Sequence, residues 1–275
     1  MLKKLFPLLL LAACLCCACT QAFKPFTFIQ MTDTQIGFMD RSEGYAHSDS
    51  LFRAAAKSAN DAKPDMVVIT GDLVDNTADP VQNRIFETDL KLIEAPVWCL
   101  PGNHDYDKTW TESIRDRFIS ERGQERFSFR HKGCVFIGLD TNCIMEEPGA
   151  AEETEQWNWL VGELTKARRA KYVFVFIHCP IFRQAIDERD DYSNFPPAKR
   201  EKYISLFKDF GVDVVFSGHT HYDLDFEYEG IRFVTANPVG NPIGKGHPGY
   251  YLVAVGKDGV TVTDVPTVEI PQRSR

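Results

Sequence analysis

Residues 66–75 read MVVITGDLVD, a short apolar run that ends at a glycine and is followed at once by Asp72. The same arrangement recurs along the chain, and in residues 212–221, VDVVFSGHTH, it places His219 and His221 after another apolar run. Ligand sites in open α/β folds collect at the carboxyl ends of strands. The pattern therefore predicts an α/β fold with a polar site along one sheet edge.

Strand-like and helix-like segments alternate from Lys24 onward. Helical spacing of apolar residues is found in 48–62, 79–94, 152–169 and 198–210. Strands are predicted at 26–31, 66–70, 97–100, 135–139, 172–177 and 212–216, and shorter ones at 226–228, 232–234, 250–255 and 260–265. No repeat or linker interrupts residues 24–268, so we expect one α/β domain over that range.

The composition is that of an ordinary globular chain and excludes long disorder. In 275 residues, 31 Lys and Arg stand against 39 Asp and Glu, for a net charge of -8. An acidic chain has no basic field for a phosphate backbone, so no nucleic-acid partner is expected. Of the cysteines beyond residue 20, Cys99, Cys134 and Cys179 lie in apolar runs and are predicted to be buried as small hydrophobes.

The first 22 residues, MLKKLFPLLLLAACLCCACTQA, are typical of an export signal. Two lysines precede nine apolar residues, too few to cross a bilayer as a helix. Residues 11–14, LAAC, resemble a bacterial lipobox, which would make Cys14 the lipidated mature N-terminus. We therefore expect an exported protein anchored to a bacterial membrane through Cys14, with residues 1–22 as signal and anchor segment. A plain secretory signal cut after Ala22 is the alternative.

Five predicted strands deliver polar side chains to one edge. These are Asp33 and Gln35, then Asp72, then Asn103, His104 and Asp105, then His178, and finally His219 and His221. Carboxylate oxygens mixed with imidazoles suit divalent Mn, Fe, Zn or Ni. A carboxylate can bridge two ions about 3.5–4 Å apart, a spacing that suits phosphoryl displacement. Any one of these motifs is usually structural; all five in this order point to a dinuclear metal site.

Together, GDLVD, GNHD, the strand-end histidine and GHTH resemble the motifs of the calcineurin-like metallophosphoesterase superfamily. The resemblance implies a four-layer α/β/β/α sandwich of two mixed sheets that holds two divalent metal ions. By the same resemblance, Asp33 and His221 bind the first metal, Asp72 bridges both, and Asn103, His178 and His219 bind the second. His104 would then assist the leaving group and be oriented by Asp105, and the nucleophile would be a metal-bound hydroxide.

One residue departs from the common family pattern: Gln35 stands where many members have a histidine. An amide oxygen is a weaker donor, so Gln35 either binds the first metal or supports its ligands, and both readings stay open. The same Asp-x-Gln resembles the subgroup typified by calcineurin-like phosphoesterase domain-containing protein 1, an animal serine/threonine phosphatase. The acidic stretch 187–192 and Asn237-Pro238-Val239-Gly240 add to that similarity.

The resemblance implies a hydrolase of phosphate monoesters, acting on a small molecule, a lipid head group or a phosphoprotein. Phosphodiesterase activity is the first alternative. A non-catalytic, metal-stabilised binding lipoprotein is the second, and the Gln35 departure is its only support.

Overall fold

The computed structural model describes residues 23–268, and the predicted signal and anchor segment, residues 1–22, lies outside the described residues. Two β-sheets pack face to face, and helices cover their outer faces. The predicted α/β/β/α sandwich of two mixed sheets is confirmed. Among residues 23–268, no helix is both long and apolar enough to cross a membrane.

Eleven strands and six α-helices are found in the described chain. The strands are β1 Phe26–Met31, β2 Val67–Thr70, β3 Val97–Leu100, β4 Phe127–His131, β5 Cys134–Gly138, β6 Val173–Phe176, β7 Val214–Ser217, β8 Leu224–Tyr228, β9 Ile231–Thr235, β10 Gly249–Val255 and β11 Val260–Pro266. The helices are α1 Ala46–Ala62, α2 Pro80–Leu90, α3 Glu112–Arg122, α4 Asn142–Met145, α5 Ala150–Ala167 and α6 Pro197–Phe210.

The topology brings the carboxyl ends of the predicted site strands to one edge. The first sheet has the order β11-β10-β1-β2-β3, with β1, β2 and β3 parallel. The second has the order β4-β5-β6-β7-β9-β8, with β5, β6, β7 and β9 parallel. The amide of Gln30 on β1 donates to the carbonyl of Ser217 on β7 at 2.8 Å, which ties the two sheets together near that edge.

Phenylalanines fill the space between the sheets. Phe28 is fully buried, and its ring centroid lies 5.2–5.9 Å from those of Phe136, Phe174, Phe176 and Phe216. Such edge-to-face and tilted contacts add to the free energy of area burial. The buried hydrophobic side chains described run from Phe26 to Val255, so a chain that begins at residue 23 keeps both hydrophobic cores.

Three elements, the helices α3 and α4 and the strand β4, were absent from the sequence expectation, and one predicted helix was too long. Helix α3 buries only Phe118, so its apolar spacing gives almost no signal. Strand β4 pairs antiparallel with β5 but buries only Phe127. The predicted helix 79–94 begins as expected, with the Asp79 carboxylate accepting from the backbone N–H of Val81, but it ends at Leu90.

The four cysteines of the described chain are free thiols. Cys134, Cys143 and Cys179 are buried, whereas Cys99 is only half-buried, because the outer side of β3 is partly open. Burial raises the pKa of the Cys134 thiol to about 11, which keeps it protonated and unreactive at neutral pH.

We expect Phe28→Ala to lower the free energy of unfolding by about 3–5 kcal/mol, because it removes the central ring of the inter-sheet core. Urea denaturation of the chain starting at residue 23 measures this loss. Leu92→Ala is the control, since Leu92 is 41% exposed and its truncation should change stability little. Equal losses in the two variants would contradict the central role of Phe28.

Candidate metal centre

The predicted site residues meet where the carboxyl edges of the two sheets face each other. Asp33 and Asp72 follow β1 and β2, and His219 follows β7 of the other sheet. The backbone N–H of His219 donates to Asp33 Oδ2 at 2.9 Å, so the two sheets are in direct contact at the site.

A first donor group consists of Asp33, Asp72 and His221, whose ligand atoms all lie within 4.8 Å of one another. His221 Nε2 lies 3.4 Å from Asp33 Oδ1. Gln35 follows in the same loop and is 1% exposed, and its amide Oε1 has no hydrogen-bond partner among the described residues. Asp33 Oδ1 is equally unpartnered. Buried oxygens without donors are costly unless a cation or water satisfies them.

A second donor group consists of Asp72, His178 and His219, again within 4.8 Å. His178 Nε2 is its centre, at 3.4 Å from Asp72 Oδ1 and 3.1 Å from His219 Nδ1. Asn103 completes the group, because its Oδ1 lies 3.1 Å from the same His178 nitrogen. Asp72 belongs to both groups, so its carboxylate is placed to bridge two cations.

Each of the three histidines donates one ring N–H to a backbone carbonyl. The pairs are His178 Nδ1 with Thr70 at 2.7 Å, His219 Nε2 with Tyr192 at 2.9 Å, and His221 Nδ1 with Asn241 at 2.7 Å. A carbonyl only accepts, so in each neutral ring these bonds fix the proton on the outer nitrogen and leave the lone pair on the inner one. The inner nitrogens are those that enter the donor groups. The residues present therefore fit two divalent cations.

The charges of the site are strongly coupled. Burial would raise the pKa of Asp72, but the neighbouring His178 holds it well below its usual range. Burial lowers the pKa of His178, and the Asp72 carboxylate more than reverses this, raising it to about 9. Burial, reinforced by His178, lowers the pKa of His219 to about 4. In the metal-free protein Asp33 and Asp72 thus stay ionised and His219 stays neutral, which are the states that bind metal, whereas His178 is protonated at neutral pH and would release its inner proton on binding a cation.

Five of the seven predicted ligands adopt left-handed backbone conformations. Asp33, Asp72, His219 and His221 have φ values of 49°, 50°, 72° and 57°, and Gln35 has a φ of 33°. A non-glycine residue held there costs on the order of 1–3 kcal/mol, and such strain concentrates at functional sites. Gly102 is required for space rather than for φ, since a Cβ there would collide with Asp72.

The backbone N–H of His104 donates to Asp72 Oδ1 at 2.9 Å, but Asp105 does not orient the His104 ring. His104 Nδ1 lies 3.0 Å from both the carbonyl and Oδ1 of Asp75. The Asp105 carboxylate instead accepts from the backbone N–H groups of Leu73 and Gly102, at 3.0 and 2.8 Å. The predicted role of Asp105 is therefore wrong. Its short side chain turns back along its own loop, and it joins the two metal-ligand loops instead.

Three residues outside the ligand motifs support the site. Asn241 supplies the carbonyl for His221, and Gly240 N–H donates to the Asp33 carbonyl at 2.9 Å, which explains the Asn237–Gly240 similarity. Tyr192 reaches Asn103 and His219 from a loop far along the chain. Sequence motifs identify the ligands within one loop. They do not identify the residues of other loops that form hydrogen bonds with those ligands.

A cavity of about 330 Å³ opens beside the second donor group. Its lining includes Asn103, Lys108, Asp190, Asp191, Tyr192 and His219. The volume lies at the small end of the range for ligand pockets. The acidic stretch 187–192 thus reaches the rim of the cavity.

These motifs, in this geometry, match a known family. A sequence model of the calcineurin-like phosphoesterases matches residues 26–223. This chain belongs to the calcineurin-like phosphoesterase family. Strands β10 and β11 lie beyond the matched range, but β10 pairs with β1 and completes the first sheet.

Relatives narrow the family to a subgroup. The chain is 30% identical over 259 residues to the serine/threonine-protein phosphatase CPPED1 of Danio rerio, with 86% of this chain and 83% of that protein covered. It is 29% identical to the Mus musculus CPPED1, with 84% and 80% covered. The predicted superfamily and subgroup are confirmed, and so is the predicted class of enzyme: this calcineurin-like phosphoesterase is a metal-dependent hydrolase of phosphoric esters.

Solved structures support the fold. A dimetal phosphatase from Danio rerio superposes with a TM-score of 0.71 at 17% identity, covering 89% of this chain and 97% of that one. A purple acid phosphatase from yellow lupin gives 0.62 at 14% identity, covering 88% and 53%.

We expect the metal-free protein to lose stability between pH 7 and pH 9. The folded pKa of His178, about 9, lies above its ordinary 6.5, so its stabilising contribution is full below pH 6.5 and is lost as the pH rises through 9. Urea denaturation in the presence of a chelator measures this. The loss should be smaller in His178→Gln, and an equal loss in that variant would show that His178 does not carry the effect.

Proposed function

We propose that this protein hydrolyses phosphate monoesters at a centre of two divalent cations held by the residues of both donor groups. The observation that carries the proposal is the sharing of Asp72 between two converging groups of donor atoms. His104 beside them supplies a proton donor. The donor set of carboxylates, amides and imidazoles suits Mn, Fe, Zn or Ni.

When bound, the two cations would neutralise the phosphoryl oxygens and activate the attacking water. The other tasks fall to the chain itself. Asp72 holds both donor groups in one fixed relation, and the backbone carbonyls behind the three histidines fix their orientation. Because these donors are already held in place, the site needs no reorganisation at the moment of reaction.

His104 would deliver a proton to the leaving oxygen. Asp75 accepts the Nδ1–H, which leaves Nε2 as the ring nitrogen that would donate the proton. Burial lowers the pKa of His104, but the hydrogen bond that it donates to Asp75 and the charge of Asp72 raise it above its ordinary value. A protonated imidazole near neutral pH is suited to general-acid catalysis. Asp75, the last residue of the GDLVD motif, is thus the group that positions His104.

The names of the relatives favour monoesters. CPPED1 proteins of several vertebrates, named serine/threonine phosphatases, match most of the chain. The diesterase alternative has narrower support: a probable glycerophosphodiester phosphodiesterase of Arcobacter nitrofigilis is 29% identical over 160 residues, 58% of this chain. The substrate would be a phosphorylated small molecule, lipid head group or phosphoprotein side chain.

The chain starting at residue 23, loaded with Mn²⁺, should hydrolyse p-nitrophenyl phosphate faster than bis(p-nitrophenyl) phosphate. Asp72→Asn and His219→Ala should lose most of that rate, because each removes a donor atom. His104→Asn should bind metal normally yet lose about 100-fold or more in kcat, as expected for a general acid.

Asp258→Asn and His131→Ala are the matched controls, since both residues lie outside the donor groups. Near-normal activity in Asp72→Asn and His219→Ala would contradict the two-cation proposal. Faster hydrolysis of the diester would contradict the proposed monoesterase activity and favour the phosphodiesterase alternative.

We further propose that the protein is exported and held on a bacterial membrane by lipid on Cys14. Eight residues separate Cys14 from Phe23, and the nine Cα–Cα steps between the two span at most roughly 32 Å. Phe23 lies at the amino end of β1, opposite the metal centre, in a concave surface that also carries Lys24, Lys132, Arg169 and Lys171. Such a tether would leave the metal centre facing away from the bilayer.

Export with lipidation predicts a specific loss in one variant. In a bacterial host, the full chain should enter the membrane fraction and incorporate labelled palmitate. Cys14→Ser should abolish the label, whereas Cys16→Ser should retain it. Labelling of the Cys14 variant, or a wild-type chain cut after Ala22, would contradict the lipid anchor.

A further inference from the structure

The loop between β6 and α6, residues 183–195, is held from behind by a buried arginine. Arg200 on α6 has no exposed surface. Its guanidinium donates to four carbonyls of the loop: Phe195 at 2.7 Å, Ile186 at 3.0 Å, Glu188 at 2.5 Å and Arg189 at 3.5 Å. No carboxylate among residues 23–268 forms a salt bridge with it. Taking a charge out of water is costly, and these four bonds both satisfy the guanidinium and fix the conformation of the loop.

The same loop is also bonded within itself. The Glu188 carboxylate accepts from the backbone N–H groups of Arg183 and Gln184, both at 2.9 Å, and from the side-chain amide of Asn194 at 2.7 Å. Asn194 is fully buried, and its Oδ1 accepts from the Asp191 N–H at 3.1 Å. The loop is therefore preorganised rather than free to adapt.

At the tip of this loop, Tyr192 touches two members of the second donor group by separate atoms. Its carbonyl accepts from His219 Nε2 at 2.9 Å, and its hydroxyl accepts from Asn103 Nδ2. Its ring lies 4.9 Å from the His219 ring, centroid to centroid. The bond to Asn103 Nδ2 turns the amide so that Oδ1 faces His178, and an amide rotated by half a turn would present N–H groups there instead.

No contact of Tyr192 reaches the first donor group directly. The carbonyl that fixes His221 belongs to Asn241, in a different loop. The two halves of the centre are therefore supported by separate segments of the chain. A change at Tyr192 should weaken cation binding in the second donor group only.

We propose that Tyr192, held in place by the Arg200-anchored loop 183–195, is a positioning residue for the cation bound by Asp72, Asn103, His178 and His219. It sets the amide orientation of Asn103 and the proton position of His219. This inference rests on the proposed two-cation function and assigns to one half of the centre a partner that the ligand motifs do not contain.

The test titrates Mn²⁺ into the metal-free chain starting at residue 23 by calorimetry and follows thermal unfolding of the same metal-free samples. Tyr192→Phe removes the hydroxyl but keeps the carbonyl. It should weaken one of two binding steps by about tenfold, the lower end of what loss of a ligand-supporting contact costs, and leave the other step and the unfolding temperature unchanged. Arg200→Lys, which frees the loop, should weaken the same step at least as much.

Tyr45→Phe is the matched control, because it removes a hydroxyl bonded at 2.7 Å to Asp79, a residue outside both donor groups. Two normal binding steps in Tyr192→Phe would overturn the inference while leaving the two-cation function intact. Equal weakening of both binding steps in Tyr192→Phe, or a lower unfolding temperature of that variant, would overturn the inference as well, since either result indicates a general structural role. A wild-type chain that binds no Mn²⁺ would overturn the proposed function itself.

Discussion

The carboxylate of Asp72 has to remain ionised while fully enclosed by the protein, and the rest of the site follows from that constraint. Burial opposes its charge, and the histidines around it supply the compensation. His178 stabilises the charge of Asp72 most directly, because its Nε2 lies 3.4 Å from the carboxylate. Two cations on either side of Asp72 would satisfy the same demand more completely, because they bring formal charge to a region of low dielectric. The overall charge of -8 gives no hint of this local reversal.

Holding the donors around Asp72 demands a rigid frame. Several of them sit in left-handed backbone conformations, and each such residue stores strain that other contacts have to offset. The frame is the pair of sheets, joined through the phenylalanine core around Phe28 and by the bond from Gln30 to Ser217. Beyond the frame, backbone carbonyls from three separate segments anchor the histidine rings. Rigidity of this kind is what allows a site to hold its geometry without reorganising.

Much of the fold and the ligand set could be predicted from local pattern. Strand β1 matches its predicted bounds, and β2 and β7 are displaced by only one or two residues, because an apolar run closed by a polar residue is a strong local signal. Helix α3 escaped prediction because it buries little more than Phe118. The role predicted for Asp105 belongs to Asp75 for a different reason. Adjacency in sequence suggested that Asp105 serves His104, whereas the turn directs its side chain back to Leu73 and Gly102.

The sequence by itself determined the fold class, the family and the residues that gather at the strand ends, because parallel strands bring their carboxyl ends to one edge whatever else the chain does. Only the tertiary structure decided which atoms face one another. It showed that Asp72 is shared by two donor groups, that Gln35 Oε1 is buried without a donor, and that Tyr192 reaches Asn103 across 89 positions of sequence. Such facts depend on side-chain orientation between loops of different sheets, and no local pattern in the sequence records it.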